Sequence, residues 1–166
     1  MARAGVVELS ASFSFSRSNY GTSSTQWSRR WSASVGYYLM ELTELEFSAA
    51  DIFNRTVIPS EQDIAVHDQL YSLNLVQALL PKSWGFQPYV KVGLGQLIRE
   101  LSGNYADGTS LESISGSLSG ILGAGLRLYV SRDFSIRSEA TTYLTAAAIS
   151  SWQDNLAFSV GLSYYF

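Results

Sequence analysis

The chain of 166 residues has no cysteine, one histidine and little charge. Without cysteine it can hold no disulfide framework and no thiolate metal site. The lone histidine, His67, with a few loop carboxylates falls short of the clustered ligands a metal needs. Neither a metal nor a cofactor is expected. Asp, Glu, Lys and Arg make up 15% of the residues, well under the roughly 25% of soluble domains. The net charge is -3, and Lys and Arg form no runs, which argues against nucleic acid as a partner. No segment approaches the roughly 18 apolar residues of a membrane-spanning helix. The opening MARAGVVELS also lacks the apolar stretch of a secretory signal, so the sequence is either cytosolic or a mature one carrying an added Met. These absences leave open a membrane crossed by strands, which announce themselves only as alternating segments of about ten residues.

Hydrophobic residues are nonetheless plentiful, at 46%, and they alternate from end to end. Val7, Leu9, Ala11, Phe13 and Phe15 are set against Glu8 and the serines at 10, 12, 14 and 16. A second strand sets Trp31, Ala33, Val35, Tyr37 and Leu39 against Ser32, Ser34, Gly36 and Tyr38. A third, from about residue 43, has Leu45, Phe47 and Ala49 opposite Glu44, Glu46 and Ser48; its later part, Asp51 to Val57, loses phase, which suggests a bulge. The fourth offers Tyr71, Leu73 and Leu75, with Leu70 and Val76 intruding on its polar face. The fifth has Val90, Val92 and Leu94, and the sixth Leu118, Leu122, Ala124, Leu126 and Leu128. The seventh has Phe134, Ile136, Ala140 and Leu144, and the eighth ends on Leu162, Tyr164 and Phe166. Eight antiparallel strands in one domain, residues 1–166, are predicted.

Connections alternate in length. Those at 40–43, 81–85 and 131–133 are tight; those at 17–26, 54–66, 100–113 and 146–151 are longer and rich in turn formers. Such a meander closes into an up-and-down barrel, whose apolar face points inward in a soluble carrier and outward in a membrane. The polar face decides. A water-facing exterior would carry many Lys, Glu, Asp and Arg, whereas this one is mostly Ser, Gly, Thr and Ala, small enough to pack a narrow lumen. Aromatics on the apolar face, Trp31, Tyr37, Tyr71, Trp84, Phe134 and Trp152 with Tyr164 and Phe166, suit girdles at the two membrane interfaces. The sequence predicts an all-β transmembrane barrel.

QPYVKVGLG, residues 87–95, follows the tight turn PKSWG and is similar to the PYVGAGLG-type strand of the small eight-stranded outer-membrane barrels of Gram-negative bacteria, the OmpA, OmpX and OmpW-like group. The terminal SYYF resembles that group's C-terminal assembly signal. The resemblance spans nearly the whole chain and lies in architecture, not in a catalytic motif. It implies an integral outer-membrane protein with periplasmic termini, long loops outside the cell, and outer-membrane lipids including lipopolysaccharide as neighbours. It also implies a barrel-assembly machinery that reads Leu162, Tyr164 and Phe166.

The informative polar constellation is Glu8, Glu44, Glu46, Lys91, Arg127, Arg137 and Glu139. All fall on the inward parity, in the half of each strand nearer the tight turns. Isolated charges there would be costly, so they are expected to pair, with Arg127 and Arg137 anchoring Glu139 and either Glu46 or Glu8. His67 is expected as a solvated loop residue, and the glycines of GLGQ and GILGAGLR as strand positions giving room to large neighbours. No catalytic residue is expected. The expected role is non-enzymatic, structural or at the surface, of a monomer with a filled and at most narrowly conducting lumen. The alternatives are an OmpW-like conduit for small hydrophobic solutes, a lipid-modifying enzyme, and an adhesin using loop residues such as Tyr20, Tyr105 and Leu111.

Overall fold

The computed structural model describes residues 5–20, 24–58, 62–105, 110–145 and 156–166. Eight strands follow one another: β1 (Val7–Tyr20), β2 (Ser24–Tyr38), β3 (Thr43–Ile58), β4 (Gln62–Ala78), β5 (Phe86–Tyr105), β6 (Ser110–Tyr129), β7 (Phe134–Thr145) and β8 (Ala157–Tyr165). A 3-10 turn at Lys82–Trp84 separates β4 from β5. Each strand pairs antiparallel with its neighbours in sequence, and β8 pairs with β1 to close the barrel. Closure leaves no sheet edge in the paired zone, as a strand structure in lipid requires.

Period-two side-chain alternation turns this ladder into two surfaces. Along β8 every second side chain is exposed, and Gly161, Ser163 and Tyr165 are buried between them. Phe15, Trp31, Leu94 and Phe158 are 60%, 57%, 63% and 68% exposed. A continuous apolar belt of this kind would drive a water-soluble monomer to aggregate, whereas lipid solvates it at no cost. The last residue belongs to this ladder. The Phe166 N–H donates to the Val7 carbonyl at 2.9 Å, and the Tyr165 N–H to that of Asp133 at 2.9 Å.

Two local expectations are corrected. β3 carries no bulge: its register with β2 and β4 runs unbroken from Thr43 to Ile58. The phase is kept, but polarity inverts, with Ala50 and Ile52 packing into the lumen while Asp51 pairs with His67 on the outside. The longer connections are also shorter than expected. The β1–β2, β3–β4 and β5–β6 ladders persist to Tyr20↔Ser24, Ile58↔Gln62 and Asn104↔Ser110. Beyond the apolar belt the strands go on in polar residues, so the ladder outlasts the hydrophobic signal.

Candidate functional site in the lumen

Inward-facing Glu8, Glu44, Glu46, Lys91, Arg127 and Arg137 are buried, and Glu139 is nearly so. They meet inside the tight-turn half of the barrel. Arg127, on β6, reaches across the lumen to Glu44 on β3 at 2.5 Å and to Glu8 on β1 at 3.1 Å. Arg137, on β7, splits its guanidinium between Glu46 and Glu139, each at 2.6 Å, with Glu8 at 3.7 Å. Lys91 bridges the same two acids, at 3.1 Å from Glu46 and 2.5 Å from Glu139. Apart from Arg137–Glu139 within β7, these pairs link strands that are not neighbours in the sheet, so the network braces the barrel across its bore.

Tyr89 stands at the centre. Its ring lies 4.6 Å from the Arg127 guanidinium and 4.9 Å from that of Arg137. Its hydroxyl donates to Glu139 at 2.7 Å and accepts from Arg137 Nε at 2.6 Å. Gly125 makes this possible, because a Cβ there would collide with the Tyr89 ring; Gly36 likewise clears the Glu44 carboxylate. The inward glycines therefore make room for large neighbours. Tyr38 donates to Glu8 at 2.9 Å, and Asn74 to Glu46 at 3.2 Å, so neutral donors share the carboxylates with the bases.

The network is bounded at both ends. Towards the far rim Leu70, Leu97, Ile121 and Tyr143 pack together, with Ala50 and Ile52 against them. The intrusion of Leu70 on a polar face is thus an apolar stop in the bore. At the tight-turn end Val76, Ala78 and Tyr89 cluster with Leu42, and Tyr38 and Tyr165 are buried beside them. Between the stops lies a cavity of about 30 Å³ lined by serines at 10, 12, 32, 34 and 48 together with Arg30 and Glu139.

Arg30 was not among the expected network residues. It faces inward with its guanidinium 4.7 Å from the Tyr143 ring, and with it four basic side chains stand against the four glutamates. Its parity, one residue from outward Trp31, would have revealed it. A second missed pair, Asp68 with Arg99, is bidentate at 2.8 and 2.7 Å. His67 is corrected: it sits within β4, not in a loop, and bridges Asp51 at 2.6 Å and Glu100 at 3.6 Å. Among the described residues no group of His, Cys, Asp and Glu could hold a metal.

The terminal residues Leu162, Tyr164 and Phe166 face outward, the last two rings edge to face at 4.7 Å. Trp31, Tyr37, Tyr71 and Trp84 are exposed on the outer surface and Phe134 is half-buried. Trp31 packs on Phe13 at 4.4 Å, and Trp84 meets Phe86 edge-on at 6.2 Å. Trp152 lies outside the described residues, as do the side chains of Tyr20, Tyr105 and Leu111.

A closed eight-stranded antiparallel barrel, greasy outside and ion-paired within, defines a transmembrane β-barrel. The outer membrane protein beta-barrel domain family matches residues 2–166, and the chain belongs to that family. No curated protein sequence matches it significantly. Among solved structures the N-terminal β-barrel domain of Pseudomonas aeruginosa OprF is similar, with 19% identity, 98% of each chain covered and a TM-score of 0.66. Ail, the attachment invasion locus protein of Yersinia pestis, has 15% identity over 98% of this chain and 99% of that one, with a TM-score of 0.62. Neisserial surface protein A has 15% identity over 98% and 97%, with a TM-score of 0.59. At these identities the likeness is one of fold.

Proposed function

We propose that the protein is a monomeric, non-enzymatic component of the bacterial outer membrane, with a structural or surface role and a lumen that passes at most a narrow stream of ions. The observation that carries this reading is the bore, braced by cross-lumen ion pairs and stopped at both ends by packed side chains. The central cavity of about 30 Å³ has room for a water molecule or two and no solute. Reconstitution in planar bilayers is the test. Little steady conductance is expected; large, stable single-channel currents would overturn the reading.

A conduit for hydrophobic solutes needs an apolar pocket in the bore, and Leu70, Leu97, Ile121 and Tyr143 instead fill that space against one another. A lipid-modifying enzyme would centre on His67, whose two ring nitrogens both face carboxylates. Among the described residues no serine hydroxyl bonds it.

Strands that run on in polar residues past the apolar belt, at the rim opposite the turns at 39–42, 79–85 and 130–133, support an orientation with those turns and both chain ends in the periplasm. Lipopolysaccharide and the other outer-membrane lipids then solvate the belt, with Trp31, Tyr37, Tyr71, Trp84 and Phe134 near its margins. The barrel-assembly machinery reads the strand ending in Leu162, Tyr164 and Phe166. Single cysteines at Glu112 and Arg132 test the orientation: on intact cells the first labels and the second does not. The reverse pattern would invert the topology.

A further inference from the structure

The tight-turn mouth holds a chamber of about 520 Å³ outside the lumen network. Its inner wall is aromatic. Tyr38 and Tyr165 lie 6.4 Å apart and Tyr129 and Tyr165 5.6 Å apart, centroid to centroid. All three hydroxyls are tied to the barrel: Tyr38 donates to Glu8 at 2.9 Å, Tyr129 donates to Gln87 at 2.7 Å, and Tyr165 shares a 2.9 Å bond with Ser135. With their polar tips held this way, the rings are fixed in orientation.

A lysine reaches into this box. Lys82, on the turn between β4 and β5, places Nζ 4.5 Å from the Tyr129 centroid and 4.3 Å from that of Tyr165. It donates to the Arg132 carbonyl at 2.5 Å, and Asp133 on the same wall supplies opposite charge. Two ring faces, one carbonyl and a nearby carboxylate are what a primary ammonium needs when it leaves water. Burial holds the lysine below its ordinary pKa, and Asp133 and Glu8 offset part of that shift. The free space beside Lys82, about 520 Å³, lies within the size range of small-ligand pockets.

We propose that this mouth is a recognition site for a primary alkylammonium group, and that Lys82 is its built-in occupant, displaceable by a ligand of the same chemistry. The rings supply affinity for the charge, and the Arg132 carbonyl selects an N–H donor over a fully alkylated nitrogen. No residue of the lumen network need move for the exchange, because the tyrosine hydroxyls keep their partners throughout.

The test is chemical rescue in detergent micelles, read from the ring-proton NMR signals of Tyr129 and Tyr165. Lys82→Ala empties the box, and n-butylammonium chloride is titrated in at constant ionic strength, with n-butanol as the uncharged control. Saturable shifts are expected at millimolar butylammonium and not with butanol. In the wild-type barrel the midpoint should lie about tenfold higher, since Lys82 must first be displaced. In Lys82→Ala/Tyr165→Leu the saturable response should vanish. Heat-modifiable electrophoretic mobility shows that each variant is a closed barrel. The proposal fails if Lys82→Ala gives no saturable shift, or if butanol acts equally. It also fails if the double variant still responds, or if wild type and Lys82→Ala share one midpoint.

Discussion

Replacing Arg127 with Met removes the most buried cation of the bore while keeping most of its stem. Glu44, at 2.5 Å, loses its ion-pair partner, and Glu8, at 3.1 Å, is left with Arg137 at 3.7 Å. At an effective dielectric of about 20, each such pair carries about 5–7 kcal/mol of gross Coulomb attraction. Desolvation has already consumed much of that sum, so the intact network contributes little net stability. Removing one partner is different, because the acids stay out of water without compensation, at a cost of about 3–5 kcal/mol. Glu8 keeps the Tyr38 hydroxyl at 2.9 Å, which makes Glu44 the stranded group. Neutralising it as well, in Glu44→Gln/Arg127→Met, should recover about 1–3 kcal/mol, since a buried amide costs less than a buried charge. Equilibrium urea unfolding in lipid vesicles, followed by tryptophan fluorescence, measures both variants and gives the coupling by a double-mutant cycle. A loss under about 1 kcal/mol for Arg127→Met, or no recovery in the double variant, would mean that water reaches these acids. The reasoning would then be refuted.

Three further outcomes follow from the packing of the barrel. Leu122→Arg, at an outward mid-strand position of β6, should cost about 2–4 kcal/mol in the same unfolding assay, the depth-dependent penalty of a cation facing hydrocarbon. Gly125→Ala, whose Cβ would meet the Tyr89 ring, should cost about 1–3 kcal/mol through overpacking, and Tyr89→Phe in the same chain should not relieve it. Deleting Phe166 should impair insertion in cells more than refolding into detergent, because one exposed ring and the 2.9 Å bond from its N–H to Val7 are a small part of the barrel. Normal assembly of the deletion in cells would remove the signal role.

The eight strands and their outward faces were legible because lipid and lumen impose opposite polarities on alternate residues. Leu9, Phe13, Val35, Leu94 and Val160 could be placed by parity alone. The same rule failed where the belt ends. Past Ala49 the outside of β3 carries Asp51 while Ile52 packs inward, which reads in sequence as lost phase. His67 was misjudged for the same reason, since a polar stretch inside a strand looks like a loop. The charges were visible as inward residues, but their partners were not. Glu44 and Arg127 sit on strands three apart, and only the shear of the closed barrel decides which side chains meet across the bore. Tyr89 was legible as inward, yet nothing in its spacing announced that two guanidiniums would stack on it.

The two apolar stops bear on how this protein meets the sea of ions outside it. In 0.15 M salt the screening length is about 8 Å, and mobile ions weaken any pair they can approach. Glu8, Glu44, Glu46, Lys91, Arg127 and Arg137 lie behind Leu70, Ile121 and Tyr143 on one side and Tyr38 and Tyr165 on the other. The space between them is about 30 Å³. The brace of the barrel is therefore screened far less by the bath than a surface network would be. Exposed pairs such as those of His67 with Asp51 and Glu100, and of Arg99 with Asp68, register a change in ionic strength more directly.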